Sequence, residues 1–395
     1  MSAPETPSPQ LDLVRTRSLQ VGVLALLVCV AGAFFSPQQF FQSYLLAYVY
    51  WIGITLGCFA LIMLYHMVGG IWGFAVRRLL ETGVQTFPLM AVLFLPILGG
   101  VRWLYVWTRP GLTPAPEAVG GHEAYLNLPF FVVRVIAYFA IWIVAGYFLN
   151  TWSLEQDRTA DPSLTRRLRM LSGPGLVVYG LTVTFASIDW VMSLEPEWHS
   201  TIYGMMYMVG FILEALTFIV VVEYLLSHRE PLAHAATPGH SHDLGNLMLT
   251  FVILWAYLNF SQFLIIWAEN LTDEIPWYLH RTTGGWQAVA FLLILFLFAL
   301  PFLMLLSRAA KRRAASLSAL GLAILVMRYV DVFWLVAPAF HPSGFVIHWM
   351  DVLAPVGIGG IWLWVFLGYL RGKALLPLHD PRYAGVPEPA HGARP

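Results

Sequence analysis

Apolar stretches of roughly twenty residues alternate with short polar joints along the whole chain. A helix of about twenty residues, rising 1.5 Å per residue, crosses the ~30 Å hydrocarbon layer of a bilayer. The pattern predicts about ten membrane-spanning helices, over 18–35, 44–68, 87–108, 128–150, 175–194, 202–226, 246–270, 286–306, 316–337 and 349–370. Chain breakers mark the joints: Ser36-Pro37, Arg109-Pro110-Gly111, Gly173-Pro174-Gly175, Glu195-Pro196, Pro231 and Ala337-Pro338. The expected organisation is an all-α integral membrane domain over 18–370, with polar tails at 1–17 and 371–395. No loop is long enough for a soluble domain, so any redox or catalytic module has to sit on another polypeptide.

Composition turns that pattern into a statement about solvent. Hydrophobic residues make up 58% of the chain and charged residues 11%, with a mean hydropathy of +0.69. A soluble domain carries roughly 25% charged residues. A soluble chain this apolar would expose aggregating patches, so lipid is the expected solvent. The formal net charge of zero argues against a broad nucleic-acid-binding surface. The two cysteines, Cys29 and Cys58, lie inside apolar runs without a CxxC partner. An iron–sulfur cluster or a structural zinc needs about four ligands, so small packing residues is the better reading for both. The Pro/Ser/Thr-rich start, with Arg15 and Arg17 ahead of an apolar run, predicts no cleavable signal peptide.

Positive charge sets the expected orientation. About seventeen Lys and Arg residues fall in the tails and the even-numbered connections, among them Arg77-Arg78, Arg166-Arg167-Arg169 and Lys311-Arg312-Arg313. About two, Arg109 and Arg281, fall on the opposite side. Both termini are therefore expected in the cytoplasm. The outer loops are acidic and aromatic, with Glu117, Glu123, Glu195, Glu197, Trp198, Asp273, Glu274, Trp277 and Tyr278. The histidine-bearing tract His228–His242 is expected on the cytoplasmic side, as a solvated loop rather than a metal site.

There is a weak internal echo. Ser43, Tyr50 and Gly53 at the start of the second span match Ser200, Tyr207 and Gly210 at the start of the sixth at one constant offset. Four spans lie between, which would make two parallel repeats, each a four-helix bundle (roughly 44–194 and 202–337), flanked by peripheral helices. Chance also produces an echo of three residues.

Charged groups inside hydrocarbon cost about 2.5–3.5 kcal/mol each on insertion scales, so each needs a reason. The fifth span carries Tyr179, Thr182, Asp189 and Ser193 on one face. The sixth carries Tyr203, Tyr207, Glu214 and Thr217, the seventh Asn259, Gln262 and Glu269, and the ninth Arg328 and Asp331, three apart. Arg102 and Arg134 lie toward the outer ends of the third and fourth spans, and His66 and Glu223 near the cytoplasmic boundary. One reading is structural: Arg328 pairs with Asp331, and Arg102 or Arg134 neutralises Asp189. The other is a hydrated proton path. It runs inward from His66 or Glu223 to Thr217 and Glu214, then out past Tyr207, Gln262 and Asp189 to Glu195 and Glu269. Glu214 is the pivotal residue, a carboxyl about 18 Å deep with no cation on its own helix.

Bis-histidine haem needs paired histidines inside facing helices, and only His66 lies within a predicted span. Phosphate-binding glycine loops, nucleophilic triads and HExxH are missing as well.

Two stretches are recognisable. Ser187–Gly204, reading SIDWVMSLEPEWHSTIYG, resembles the fifth-to-sixth helix junction of the F subunit of alternative complex III. Leu244–Gln287, reading LGNLMLTFVILWAYLNFSQFLIIWAENLTDEIPWYLHRTTGGWQ, resembles that family's seventh helix, outer loop and eighth helix. The family belongs to the NrfD-like, polysulfide-reductase-type membrane subunits. The resemblance implies a ten-helix subunit of two four-helix bundles in a complex that oxidises quinol (menaquinol or another quinol). Electrons then pass through iron–sulfur clusters and haem c on partner subunits to a cytochrome c or an oxidase. It implies as partners a related quinol-binding membrane subunit, an iron–sulfur subunit and haem c subunits. For the F-type subunit it implies no cofactor of its own and a role in assembly and proton translocation. Two other functions stay open: a quinol site on this chain near Asp189, Glu195 and His199, or a secondary transporter. Transporters of that kind carry broken helices at matching places in both halves, and Pro96 with its neighbouring glycines is the one hint of a break.

Overall fold

Unbroken apolar runs leave the backbone N–H and C=O groups without water to bond, and helix satisfies them within the segment. The computed structural model describes residues 9–109, 124–228, 232–235, 237–371, 373–377 and 379–380, and no strand occurs among them. Ten of its helices are long and apolar enough to cross a membrane. We number these spans 1 to 10: Gln10–Ala33, Pro37–Val68, Arg77–Gly99, Leu128–Thr159, Pro162–Leu194, Tyr203–Leu226, Pro238–Glu269, Trp286–Leu306, Ala314–Ala339 and Trp349–Leu370. The chain is a multi-pass, all-α membrane protein. Glu117, Glu123, much of both tails and parts of the His228–His242 tract lie outside the described residues.

Spans 2 and 6 form the centre. The apolar window of span 2 is 94% buried and that of span 6 is 72% buried, against 17% for span 1 and 28% for span 8. Span 2 packs on spans 5, 6 and 10, span 6 on spans 5, 7 and 9, and span 1 lies along span 10. Lipid tails are as apolar as leucine, so close approach of small residues, rather than hydrophobicity, holds such helices together. A Cβ at Gly57 would lie 2.0 Å from the Phe211 carbonyl oxygen, and one at Gly22 would lie 2.9 Å from Gly360. The ends of spans 1 and 10 meet where Arg15 Nε donates to the Trp364 carbonyl at 3.3 Å. We call that side the terminal face and the opposite side the far face.

Several boundaries differ from expectation. The first helix starts at Pro9, so residues 9–17 of the expected tail are helical. Span 3 starts at Arg77, not residue 87, because Arg77 and Arg78 find the carboxylates Glu81, Asp157 and Asp380 inside the protein. It is built from short helices, Arg77–Val84, Phe87–Leu93 and Leu95–Gly99, with Pro96 at the last break. Span 7, its counterpart under a parallel repeat, is one continuous helix, so the pair does not show the matched breaks of a transporter. Span 5 runs straight through Pro174 from Pro162, capped by Asp161, whose carboxylate accepts from the backbone N–H of Ser163 at 2.8 Å. Those Ser163 hydrogen bonds hold the Asp161 carboxyl below its usual range. Span 7 starts at Pro238, with Thr237 as its N-cap, eight residues before the expected start.

The positive-charge bias gives a direct expectation for topology. Single cysteines at the exposed positions Arg166 and Arg312 should react with an impermeant thiol reagent only from the cytoplasm. Those at Glu197 and Thr272 should react only from outside, and the reverse pattern would refute the orientation.

Candidate functional site

Midway along span 6, eleven residues from its far-face end, the Glu214 side chain is 0% exposed. Neither of its carboxyl oxygens has a hydrogen-bond partner among the described residues. Its nearest charge is Arg328 of span 9, with Nη2 at 4.0 Å from Glu214 Oε2. Arg328 instead donates to Asp331 one turn along its own helix, and the Trp255 indole of span 7 donates to the same oxygen, Oδ2, at 3.0 Å. Glycines make the space. A Cβ at Gly210 would lie 2.2 Å from Arg328 Nη2, and one at Gly53 would lie 2.9 Å from Glu214 Oε2. Tyr50 of span 2 donates to the Leu325 carbonyl at 3.0 Å and closes the cluster on that side.

Toward the far face the polar residues separate into two ion pairs. In the first, Arg134 grips Asp189 with two nitrogens, Nε to Oδ2 at 2.9 Å and Nη2 to Oδ1 at 2.8 Å. Tyr138 donates to Asp189 Oδ2 at 2.7 Å, and the guanidinium lies 3.8 Å from the Tyr125 ring centroid. A two-pronged guanidinium–carboxylate contact is the strongest form of such a pair. The candidate Arg102 takes no part in this: its side chain is exposed, and Arg134, reaching across from span 4, is the partner. In the second pair, Arg281 donates to Glu195 at 2.7 Å and stands 3.7 Å from the Trp277 ring centroid. Trp198 stacks on Trp277 at 4.6 Å, His280 Nδ1 lies 3.3 Å from Glu195, and Ser200 donates to Gln262 at 2.6 Å. Asp189 and Glu195 thus pair with different arginines, Arg134 and Arg281. Glu269 lies on the exposed far end of span 7, and Asn259 is half-buried, donating to its own helix.

Toward the terminal face the arrangement differs from expectation. Thr217 is buried and donates to the Leu213 and Glu214 carbonyls of its own helix, both at 2.9 Å. His66 and Glu223 are buried, at 3% and 6% exposure. Glu223 Oε1 lies 2.8 Å from His240 Nε2. His240 thus belongs to the protein interior, where a solvated loop was expected, because the Thr237–Pro238 cap brings it into span 7. A cavity of ≈ 10 Å³, room for about one water, lies beside Glu223 and is bounded by Tyr224, Ser227 and Ser241.

A second buried network at this face was not foreseen. Arg77 donates to Glu81 and Asp380, each at 2.8 Å, and to Ser153 at 2.7 Å. Arg78 binds Glu81 at 2.5 Å and also pairs with Asp157. Asp380 comes from the chain beyond span 10 and also accepts from Tyr65 at 3.1 Å, so part of the expected cytoplasmic tail is docked. Lys373 donates to Gln85 at 2.5 Å, and burial lowers its ammonium to about 8. Among the described residues, no group of three or more His, Cys, Asp or Glu side chains is placed to hold a metal ion.

The structure brings Glu214, from the predicted path, beside the predicted Arg328–Asp331 pair, and Tyr207, Gln262 and Asp189 lie toward the far face. Tyr207 lies within electrostatic reach of Asp331 and Arg328, and Tyr203 reaches both Asp331 and the Arg281–Glu195 pair. Sequence reasoning missed Trp255, which stands one turn before Asn259, and His240, whose preceding Thr-Pro pair was a readable helix start. No family profile matches the chain, and no curated protein matches it either.

Proposed function

We propose that this chain is a bacterial inner-membrane subunit of a quinol-oxidising electron-transfer complex of the alternative complex III type, both termini cytoplasmic. In this reading it binds no redox cofactor, supports assembly and carries protons. Haem c, iron–sulfur clusters and the quinol site belong to partner subunits.

The observation that carries the proton role is Glu214, a fully buried carboxyl at mid-span whose oxygens have no hydrogen-bond partner among the described residues. A buried ionisable group with unmet bonding capacity is costly, and membrane proteins keep such groups chiefly where ions or protons pass. The assembly role draws on the two stretches that resemble the family, which lie against each other at the far face. Glu195 and Trp198 of the first meet Arg281 and Trp277 of the second, and Ser200 meets Gln262. In this reading haem c and iron–sulfur subunits would dock on that platform.

The test is what accompanies the chain. Affinity-tagged and extracted in mild detergent, it should bring down polypeptides with the absorption of haem c, together with an iron–sulfur protein. Separated from them, it should show no Soret band. Isolation of this chain alone, or with partners lacking redox groups, would contradict the proposal.

A further inference from the structure

The central cluster holds two carboxyls and one guanidinium, Glu214, Asp331 and Arg328, each at 0 or 1% exposure. The titratable groups within electrostatic reach of it are Tyr50 and Cys58 of span 2 and Tyr203 and Tyr207 of span 6. All are neutral at pH 7 in their ordinary states, so Arg328 is the one cation that faces the cluster among the described residues. With both carboxyls ionised the cluster would hold an unpaired buried negative charge, which an apolar interior does not support. One proton makes it neutral.

We propose that Glu214, Asp331 and Arg328 form a one-proton site, in which Arg328 turns from Asp331 to Glu214 as the proton moves the other way. This rests on the proton-carrying reading above and gives Arg328 and Asp331 a part in it. In the structure Arg328 donates to Asp331, and its Nη2 stands 4.0 Å from Glu214, too far to hydrogen-bond. That is the state with the proton on Glu214. In the second state Arg328 closes on Glu214 to about 2.8 Å, the length of a charged N–H···O bond. The Glu214 O–H bond breaks, and the proton passes through one bridging water to Oδ1 of Asp331. That oxygen has no hydrogen-bond partner among the described residues, while Trp255 keeps hold of Oδ2. The total charge is zero in both states, so neither leaves a bare buried ion. The movement is about 1 Å, and Gly210 and Gly53 leave room for it where a Cβ would touch the two moving groups.

The full chain in lipid nanodiscs, compared with its variants by infrared difference spectroscopy, tests this through the carboxylic-acid C=O stretch. Glu214→Gln should lose one such band, and Asp331→Asn should lose the same band, because either change leaves one carboxylate to one guanidinium. Arg328→Gln should gain a second band, and Arg328→Lys, which keeps the cation, should retain the single one. A band that survives Asp331→Asn would overturn the shared proton, since Glu214 would then hold its proton without reference to the pair. The proton-carrying reading would outlive that result if Glu214→Gln still lowered proton movement. The expected band pattern with unchanged proton movement would instead uphold the one-proton site and remove the transport role.

Discussion

Arg77→Leu is expected to destabilise the protein by about 3–5 kcal/mol, the usual cost of removing one member of a buried ion pair. The side chain is 0% exposed and answers two carboxylates at once, Glu81 and Asp380, each at 2.8 Å. Leucine fills much of the volume but removes the cation that Glu81 and Asp380 share. Uncompensated buried charge, rather than lost packing, is the source of the loss. Arg166→Leu is the control, because Arg166 is exposed and a surface change of that kind stays within about 0.5 kcal/mol. Unfolding in mixed micelles, followed by tryptophan fluorescence, measures both. Equal stability of the two variants would refute the claim that the terminal face is held by this network.

How far the sequence carries depends on how local the physics is. Span number was legible because crossing hydrocarbon demands about twenty apolar residues in a row, which is a property of the segment itself. Span ends were less legible. Arg77-Arg78 looks like a cytoplasmic joint, and only the fold reveals that Asp380, 303 residues away along the chain, and Ser153 neutralise and bond it internally. Arg328 and Asp331 could be paired from their spacing, since residues three apart share a helix face. The approach of Glu214 to that pair could not, because it depends on how spans 6 and 9 pack. The glycine echo of Gly53 and Gly210 was visible as a pattern without a reason. The structure supplies one: each glycine faces a charged side chain of the neighbouring helix, Glu214 in one case and Arg328 in the other.

The second large effect concerns Glu214 itself. Gln keeps the volume and planar shape of the side chain while removing the titration, and among the described residues Glu214 has no hydrogen-bond partner whose loss would unfold the helix. Assembly should therefore survive Glu214→Gln. Tyr207, Gln262 and Asp189 on the far side, and the terminal-side pair Glu223–His240, stay intact, yet in the proposed path the proton has to pass between them through the Glu214 carboxyl that has been removed. Thr217, one turn away, cannot substitute, because its hydroxyl is committed to its own backbone and carries no exchangeable charge at neutral pH. The most direct measurement is proton release per electron in proteoliposomes containing the assembled complex, wild type against Glu214→Gln. The account predicts continued quinol oxidation with a lower proton-to-electron ratio in the variant, and an unchanged ratio would contradict it.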